Sequence, residues 1–219
     1  MSRRIIVINP NSTESVTEGI DEAVAPLRMA GGPEIEAVTL AEGPPGIESQ
    51  TDADGVIAPL CDYIRARDNE ASAFVIACYS DPGLYAAREA TRWPVFGIAE
   101  CGMLNALMLG EKFGVIAILS ASIPRHARHV RALGLESRFA GEAAIEMGIA
   151  GLADGDEVLR RMGAVGRRLR DEHGCDVVIM GCAGLARYRS RLEDALNVPV
   201  VEPTQAAVTM AIGAARLGS

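Results

Sequence analysis

Lysine is nearly missing from this 219-residue chain: Lys112, between Glu111 and Phe113 at the predicted start of a strand, is the only one. A pyridoxal phosphate enzyme needs a Schiff-base lysine inside its site, and the entering end of a strand is the wrong place for it. Histidine occurs three times, and no two of the five cysteines form a C-x-x-C pair, so the spacing of a zinc site is not there. No G-x-G-x-x-G follows a predicted strand and no Walker A sequence occurs, so neither a nicotinamide nor a nucleotide phosphate is indicated. Apolar runs stop well short of a membrane span. Ile5 to Ile8 is too short for a secretory h-region before Asn9-Pro10-Asn11 interrupts it. With an odd number of cysteines, reduced thiols and a cytoplasmic location are expected. The net charge of −8 argues against nucleic acid or an anionic membrane as partner. The arginines that do cluster, Arg160-Arg161 and Arg167 to Arg170, read as the solvated face of a helix. Aromatics make up only 4% of the residues, so a core must be built from Ala, Val, Ile and Leu.

Such a core is available. Hydrophobic residues are 49% of the chain and mean hydropathy is +0.17, which fits one or two well-buried globular domains. Short β-branched runs closed by turn residues alternate with longer amphipathic stretches, the pattern of a parallel α/β protein. Strands are predicted at 4–9, 34–40, 73–78, 93–98, 113–119, 144–149, 176–182 and 198–201. Helices are predicted near 13–29, 52–68, 83–92, 100–110, 124–133, 156–173, 188–196 and 204–216.

Two of these strands end alike. Ala73-Phe74-Val75-Ile76-Ala77-Cys78 runs into Tyr79-Ser80-Asp81-Pro82-Gly83, and Asp176-Val177-Val178-Ile179-Met180-Gly181-Cys182 runs into Ala183-Gly184. The offsets between the halves are nearly constant: Ile8 and Ile118 lie 110 positions apart, Cys78 and Cys182 lie 104, Ile98 and Val201 lie 103. The expected fold is therefore two pseudo-symmetric α/β lobes, each a small parallel four-stranded sheet flanked by helices, with the active site in the cleft between them. The alternative is one long doubly wound sheet.

Ligands of parallel sheets bind beyond the carboxyl ends of the strands. That places Asn9 to Thr13, Gly43 to Ser49, Cys78 to Gly83, Ser120 to Ser122, Gly181 to Gly184 and Glu202-Pro203 around one site. A cysteine before a turn and a helix start is expected to have a lowered pKa, so each of Cys78 and Cys182 is expected to be partly thiolate. One thiolate and one thiol on opposite faces of a planar carbanion can remove a proton from one side and return it on the other. Backbone N–H groups at Ser80-Asp81 and Ala183-Gly184, with Ser120 and Asn11, are placed to hold the oxygen that gains charge. The plain alternative is that cysteines are common core residues, and Cys61, Cys101 and Cys175 are read that way. The segment Arg125-His126-Ala127-Arg128-His129 is read as the exposed part of a helix. Tyr79 and Tyr85 can line a pocket or simply pack.

At these residues the sequence resembles the aspartate/glutamate/hydantoin racemase superfamily, in particular its hydantoin racemase branch, which includes allantoin racemases. The resemblance covers nearly the whole chain. It rests on Val7-Ile8-Asn9-Pro10-Asn11-Ser12-Thr13, on Gly43-Pro44 with Ile47-Glu48-Ser49, on Ala77 to Leu84, and on Gly181-Cys182-Ala183-Gly184. It implies a cofactor-free 1,1-proton transfer at C5 of a 5-substituted hydantoin, with Cys78 and Cys182 catalytic. The substrate contacts it implies are Asn9, Asn11, Ile47, Tyr79, Ser80, Asp81, Ser120, Ser122, Ala183, Gly184 and Glu202. It also implies a homo-oligomer that takes a small-molecule substrate and no metal. The lobes it implies are 1–98 with 206–219, the C-terminal helix returning to the first lobe, and 99–205. The superfamily's amino-acid racemases tend to read Cys-Asn-Thr and Cys-Thr-His where this chain has Cys78-Tyr79-Ser80 and Cys182-Ala183-Gly184. That departure disfavours free aspartate or glutamate. Ser120-Ala121-Ser122 stands where many hydantoin racemases carry a threonine pair, and Glu202 stands where aspartate is common. The competing readings are another carbon-acid enzyme on the same scaffold (an amino-acid racemase, an arylmalonate decarboxylase or a maleate isomerase) and a non-catalytic small-molecule binding protein.

Overall fold

Residues 4–148, 151–152 and 155–218 are described by a computed structural model. Among the described residues eight strands form two four-stranded sheets. The first holds β1 (Arg4–Asn9), β2 (Glu34–Thr39), β3 (Ala71–Ile76) and β4 (Val95–Gly97) in the order β2-β1-β3-β4. The second holds β5 (Phe113–Ala117), β6 (Phe139–Ala144), β7 (Val177–Met180) and β8 (Val200–Val201) in the order β6-β5-β7-β8. Every pairing is parallel. Adding four to each strand number turns the first order into the second, so the repeat in the sequence is a repeat of topology. The inner strands β1, β3, β5 and β7 are buried almost throughout. That is why they read as continuous apolar runs rather than alternating ones.

Helices cover both sheets: α1 (Glu14–Val24), α2 (Gln50–Gly55), α3 (Ile57–Arg67), α4 (Leu84–Ala90), α5 (Ile98–Leu109), α6 (Ile123–Ala132), α7 (Gly155–His173), α8 (Arg189–Leu196) and α9 (Pro203–Leu217). Two of them bind the lobes into one body. From α9, Ala207, Val208, Ala211 and Ile212 pack with Ile5, Val7 and Val75 of the first sheet. Ile98 and Cys101 of α5 join that same cluster, while Ala99, Met103 and Ala106 pack with Val115, Val177 and Ile179 of the second sheet. A helix with apolar residues on two faces sits between two cores.

Three predicted elements need correction. The helix expected over 13–29 stops at Val24 and tightens into a 3-10 turn over Ala25–Leu27, where Pro26 has no N–H to continue the ladder. The helix expected over 52–68 is two helices that meet at Val56, because Pro59 is tolerated only in a first helical turn. The strand expected at 144–149 lies instead at Phe139–Ala144. Glu146 takes φ +52°, which ends the extended run, and Ile149 falls outside the described residues. The helix expected near 188–196 is found at Arg189–Leu196, preceded by a 3-10 turn over Ala183–Tyr188.

Candidate active site

The first cysteine loop leaves β3 at Ile76. Ala77 N–H donates to the Ile8 carbonyl at 2.8 Å and continues the ladder, and Asp81 N–H donates back to the Cys78 carbonyl at 2.9 Å. Asp81 then pins the turn from outside. Its buried carboxylate accepts the N–H groups of Ala99 at 2.9 Å and Glu100 at 2.8 Å, satisfying the first turn of α5. That carboxylate occupies the space a side chain at Gly97 would need: a Cβ there would stand 2.3 Å from it. Burial pushes the Asp81 carboxyl up to about 7 against the two N–H bonds.

The second cysteine loop is built the same way. Gly181 N–H donates to the Ile116 carbonyl at 2.8 Å, and a Cβ at Gly181 would lie 2.7 Å from that oxygen. Only glycine lets the strand end approach so closely. Cys182 follows, then the 3-10 turn anchored by buried Leu185 and Tyr188.

Both cysteines line one cavity between the lobes, together with Asn11, Ile47, Ile118 and Ser122. Each keeps an edge toward the cavity and is otherwise enclosed. The Ser80 N–H donates to the Cys78 sulfur and the Gly184 N–H donates to the Cys182 sulfur. These bonds favour the thiolate, but burial outweighs them. Burial is the main cause that pushes Cys78 up to about 12, with the Cys182 thiol and Asp81 adding to it and Arg125 opposing. Cys182 is pushed up to about 11 by burial, with Glu202 adding to it. The expectation of partly ionised thiols is therefore overturned: desolvation of the charged form exceeds what one N–H and a short helical turn return.

The other predicted contacts divide. Tyr79, Ser80, Ala183 and Gly184 line the cavity with Asn11, Ile47 and Ser122. Asn9 is fully buried one layer behind, donating to Asn11 Oδ1 at 3.1 Å and Thr17 Oγ1 at 3.0 Å and so holding the loop that presents Asn11. Asp81 acts on α5. Ser120 is exposed and donates to the Glu146 carboxylate. Glu202 is 2% exposed and caps α9, accepting from Gln205 N–H at 2.6 Å. None of these four faces the cavity. The expected backbone donors for a substrate oxygen also need revision, since Asp81 N–H is taken by the Cys78 carbonyl and those of Ser80 and Gly184 point at the sulfurs.

In their place the structure brings in α6. His126 is 5% exposed rather than solvated, and both it and Arg125 line the cavity. The Arg125 Nε–H donates to Ser80 Oγ at 2.8 Å. These residues sit in the first helical turn after the β5 strand end, which is where a parallel sheet places ligand-facing groups. That position was the available signal. Val16 and Leu152 also line the cavity and, with Gly184, continue into a wider groove bordered by Thr13, Glu48 and Arg187. Cys61, Cys101 and Cys175 are buried away from the cavity. Among the described residues no group of three or more His, Cys, Asp or Glu is arranged to hold a metal, and no helix is long and apolar enough to cross a membrane.

Residues 5–211 match the Asp/Glu/hydantoin racemase family. A hydantoin racemase from Pseudomonas sp. (strain NS671) is 35% identical over 210 residues, 95% of this chain and 84% of that protein. The solved allantoin racemase from Klebsiella pneumoniae superposes with a TM-score of 0.91 at 34% identity, covering 99% of this chain and 89% of the other. The allantoin racemase from Pseudomonas fluorescens gives 0.94 at 28% identity, covering 98% and 92%. The chain belongs to the Asp/Glu/hydantoin racemase family, a family of isomerases.

Proposed function

We infer that this member of the racemase family inverts C5 of 5-substituted hydantoins, allantoin among them, by proton transfer between Cys78 and Cys182 without a cofactor. One observation carries this reading: two thiols from equivalent strand ends of the two lobes line a single cavity. The hydantoin ring is planar, and the proton on C5 is acidified by the neighbouring ring carbonyl. One cysteine, as thiolate, takes that proton and becomes a thiol. The electron pair moves onto the carbonyl oxygen, giving a planar enolate. The other cysteine, as thiol, delivers its proton to the opposite face and becomes the thiolate. Atoms and charge balance, and the enzyme is left ready to run the reaction in reverse.

Arg125 supports this chemistry, since its positive charge favours the Cys78 thiolate and attracts a developing enolate. The Ser80 hydroxyl lies beside it. The wider groove beyond Val16 and Leu152 is the natural course for the C5 substituent. In this reading 1–98 with 206–219 and 99–205 act as the two catalytic lobes, and five free cysteines suit a reducing compartment such as the cytoplasm.

Optical rotation against time on single enantiomers of allantoin, benzylhydantoin and isopropylhydantoin tests the reading. Decay to zero, lost in Cys78→Ser, is expected. No decay with any of the three, from folded protein, overturns it.

A further inference from the structure

Glu142 is the one charged residue in β6, an edge strand otherwise made of Phe139, Ala140, Gly141, Ala143 and Ala144. Its side chain is only 1% exposed. A buried carboxylate is costly unless it is paired, and the partner here is His126, whose Nδ1 stands 2.6 Å from Glu142 Oε1. A ring nitrogen at that distance from a carboxylate carries a proton and donates it. The opposite ring nitrogen, Nε2, stands 3.3 Å from Ser80 Oγ. The Tyr79 ring meets the imidazole edge to face, with centroids 5.1 Å apart and planes at 82°, and so fixes its orientation. Glu142, His126 and Arg125 belong to the second lobe, and Tyr79 and Ser80 to the Cys78 loop of the first. The chain Glu142–His126–Ser80 therefore crosses the cleft and ends at the residue whose N–H holds the Cys78 sulfur.

We propose that Glu142 and His126 are positioning residues that, together with Arg125, fix the Ser80 hydroxyl so that its one remaining hydrogen-bonding position faces the ring of the substrate. A hydroxyl has one proton and two lone pairs. The Arg125 Nε–H takes a lone pair and His126 Nε2 takes a second position. The third is directed into the cavity, toward the polar edge of a planar ring lying between the thiols. A buried polar pair is not needed for stability, since replacing both members by well-packed apolar residues is often neutral, although removing one alone is costly. Its use is the orientation it imposes on Ser80. The proposal rests on the racemase reading above.

The test is a double-mutant cycle on the full chain, read as kcat and KM with a hydantoin that the wild type racemises, with folding checked by circular dichroism. Glu142→Leu and His126→Phe are expected to lower kcat by roughly 10- to 100-fold while KM moves by less than about threefold, because an oriented hydroxyl acts mainly in the transition state. Glu142→Gln, which keeps an acceptor for Nδ1–H, is expected to restore kcat to within about threefold of wild type by the same reasoning. Adding Ser80→Ala to His126→Phe is expected to cause no further loss. Losses that multiply, a Gln variant as impaired as the Leu variant, or full activity in His126→Phe would overturn the proposal. If His126→Phe does not fold, the Glu142→Gln and Glu142→Leu comparison decides alone. Calorimetric binding of allantoin to the wild type, beside its racemisation, separates the two levels: binding and turnover without coupling to Ser80 overturn the positioning role only, whereas neither binding nor turnover overturns the racemase reading with it.

Discussion

Cys78 and Cys182 occupy the same position in two copies of one structural unit, and each sulfur accepts the backbone N–H of the residue two places on, Ser80 in one lobe and Gly184 in the other. The two copies are not electrostatically equal. A carboxyl reinforces burial at each, Asp81 at Cys78 and Glu202 at Cys182, and the Cys182 thiol adds to it at Cys78, but Cys78 alone has an arginine, Arg125, that opposes it.

Because burial pushes Cys78 up to about 12 and Cys182 up to about 11, the thiol is the predominant form of both at neutral pH, and the form with one thiolate from which the reaction starts is a minor one. The thiolate is the reactive form. Iodoacetamide labelling of each cysteine, followed by mass spectrometry, is therefore expected to quicken about tenfold per pH unit between roughly pH 7 and 10. A labelling rate that levels off by about pH 8 would contradict this.

Gly97 is glycine because the Asp81 carboxyl fills the place of its side chain. Gly97→Ala is expected to push Asp81 out of the α5 cap and displace the Cys78 loop with it. A loss of about 1–3 kcal/mol of stability is expected, as for other forced overpacking, and activity should fall alongside. Thermal unfolding and turnover on the same sample check it. An unchanged melting temperature would show that the loop yields without cost.

Much of this was legible in the sequence, for physical reasons that can be named. Buried parallel strands announce themselves as apolar runs, so β3 and β7 and the cysteines that end them could be placed, and the repeat followed from their spacing. The edge strand β6 was misplaced because Phe139-Ala140-Gly141-Glu142-Ala143-Ala144 lacks β-branched residues and takes its extended form from pairing with β5. That error hid Glu142. His126 reads as solvated because α6 is rich in arginine, and a helix so basic gives no hint that its first turn closes over a cavity. The thiol pKa shifts were out of reach for the same reason, since they depend on how completely two lobes enclose them.

Glu202 offers a pH-dependent test of burial. Its carboxyl is pushed from an ordinary 4.5 up to about 7, mainly by burial. A raised pKa means that the folded state holds the proton more tightly than the unfolded chain. The stability linked to this group is thus fully present below about pH 4.5 and is lost as pH rises toward 7. Glu202→Gln keeps an oxygen for Gln205 N–H and removes the titration. The variant's stability relative to wild type is expected to grow between pH 4.5 and about 7 and then level off, by up to about 3 kcal/mol. Urea unfolding of both proteins across that range measures it, and a difference independent of pH would contradict it.

The central claim is that the two thiols serve opposite faces of one carbon. Its most direct measurement is C5 proton exchange in D2O, followed by NMR, for Cys78→Ser and Cys182→Ser on each enantiomer of one hydantoin substrate. Each variant retains one acid/base group, which can remove a proton and return a deuteron on its own face. Both variants are expected to lose racemisation, and each is expected to exchange one enantiomer only without inversion, the two variants choosing opposite enantiomers. Exchange of the same enantiomer by both variants, or racemisation surviving in either, would contradict the account.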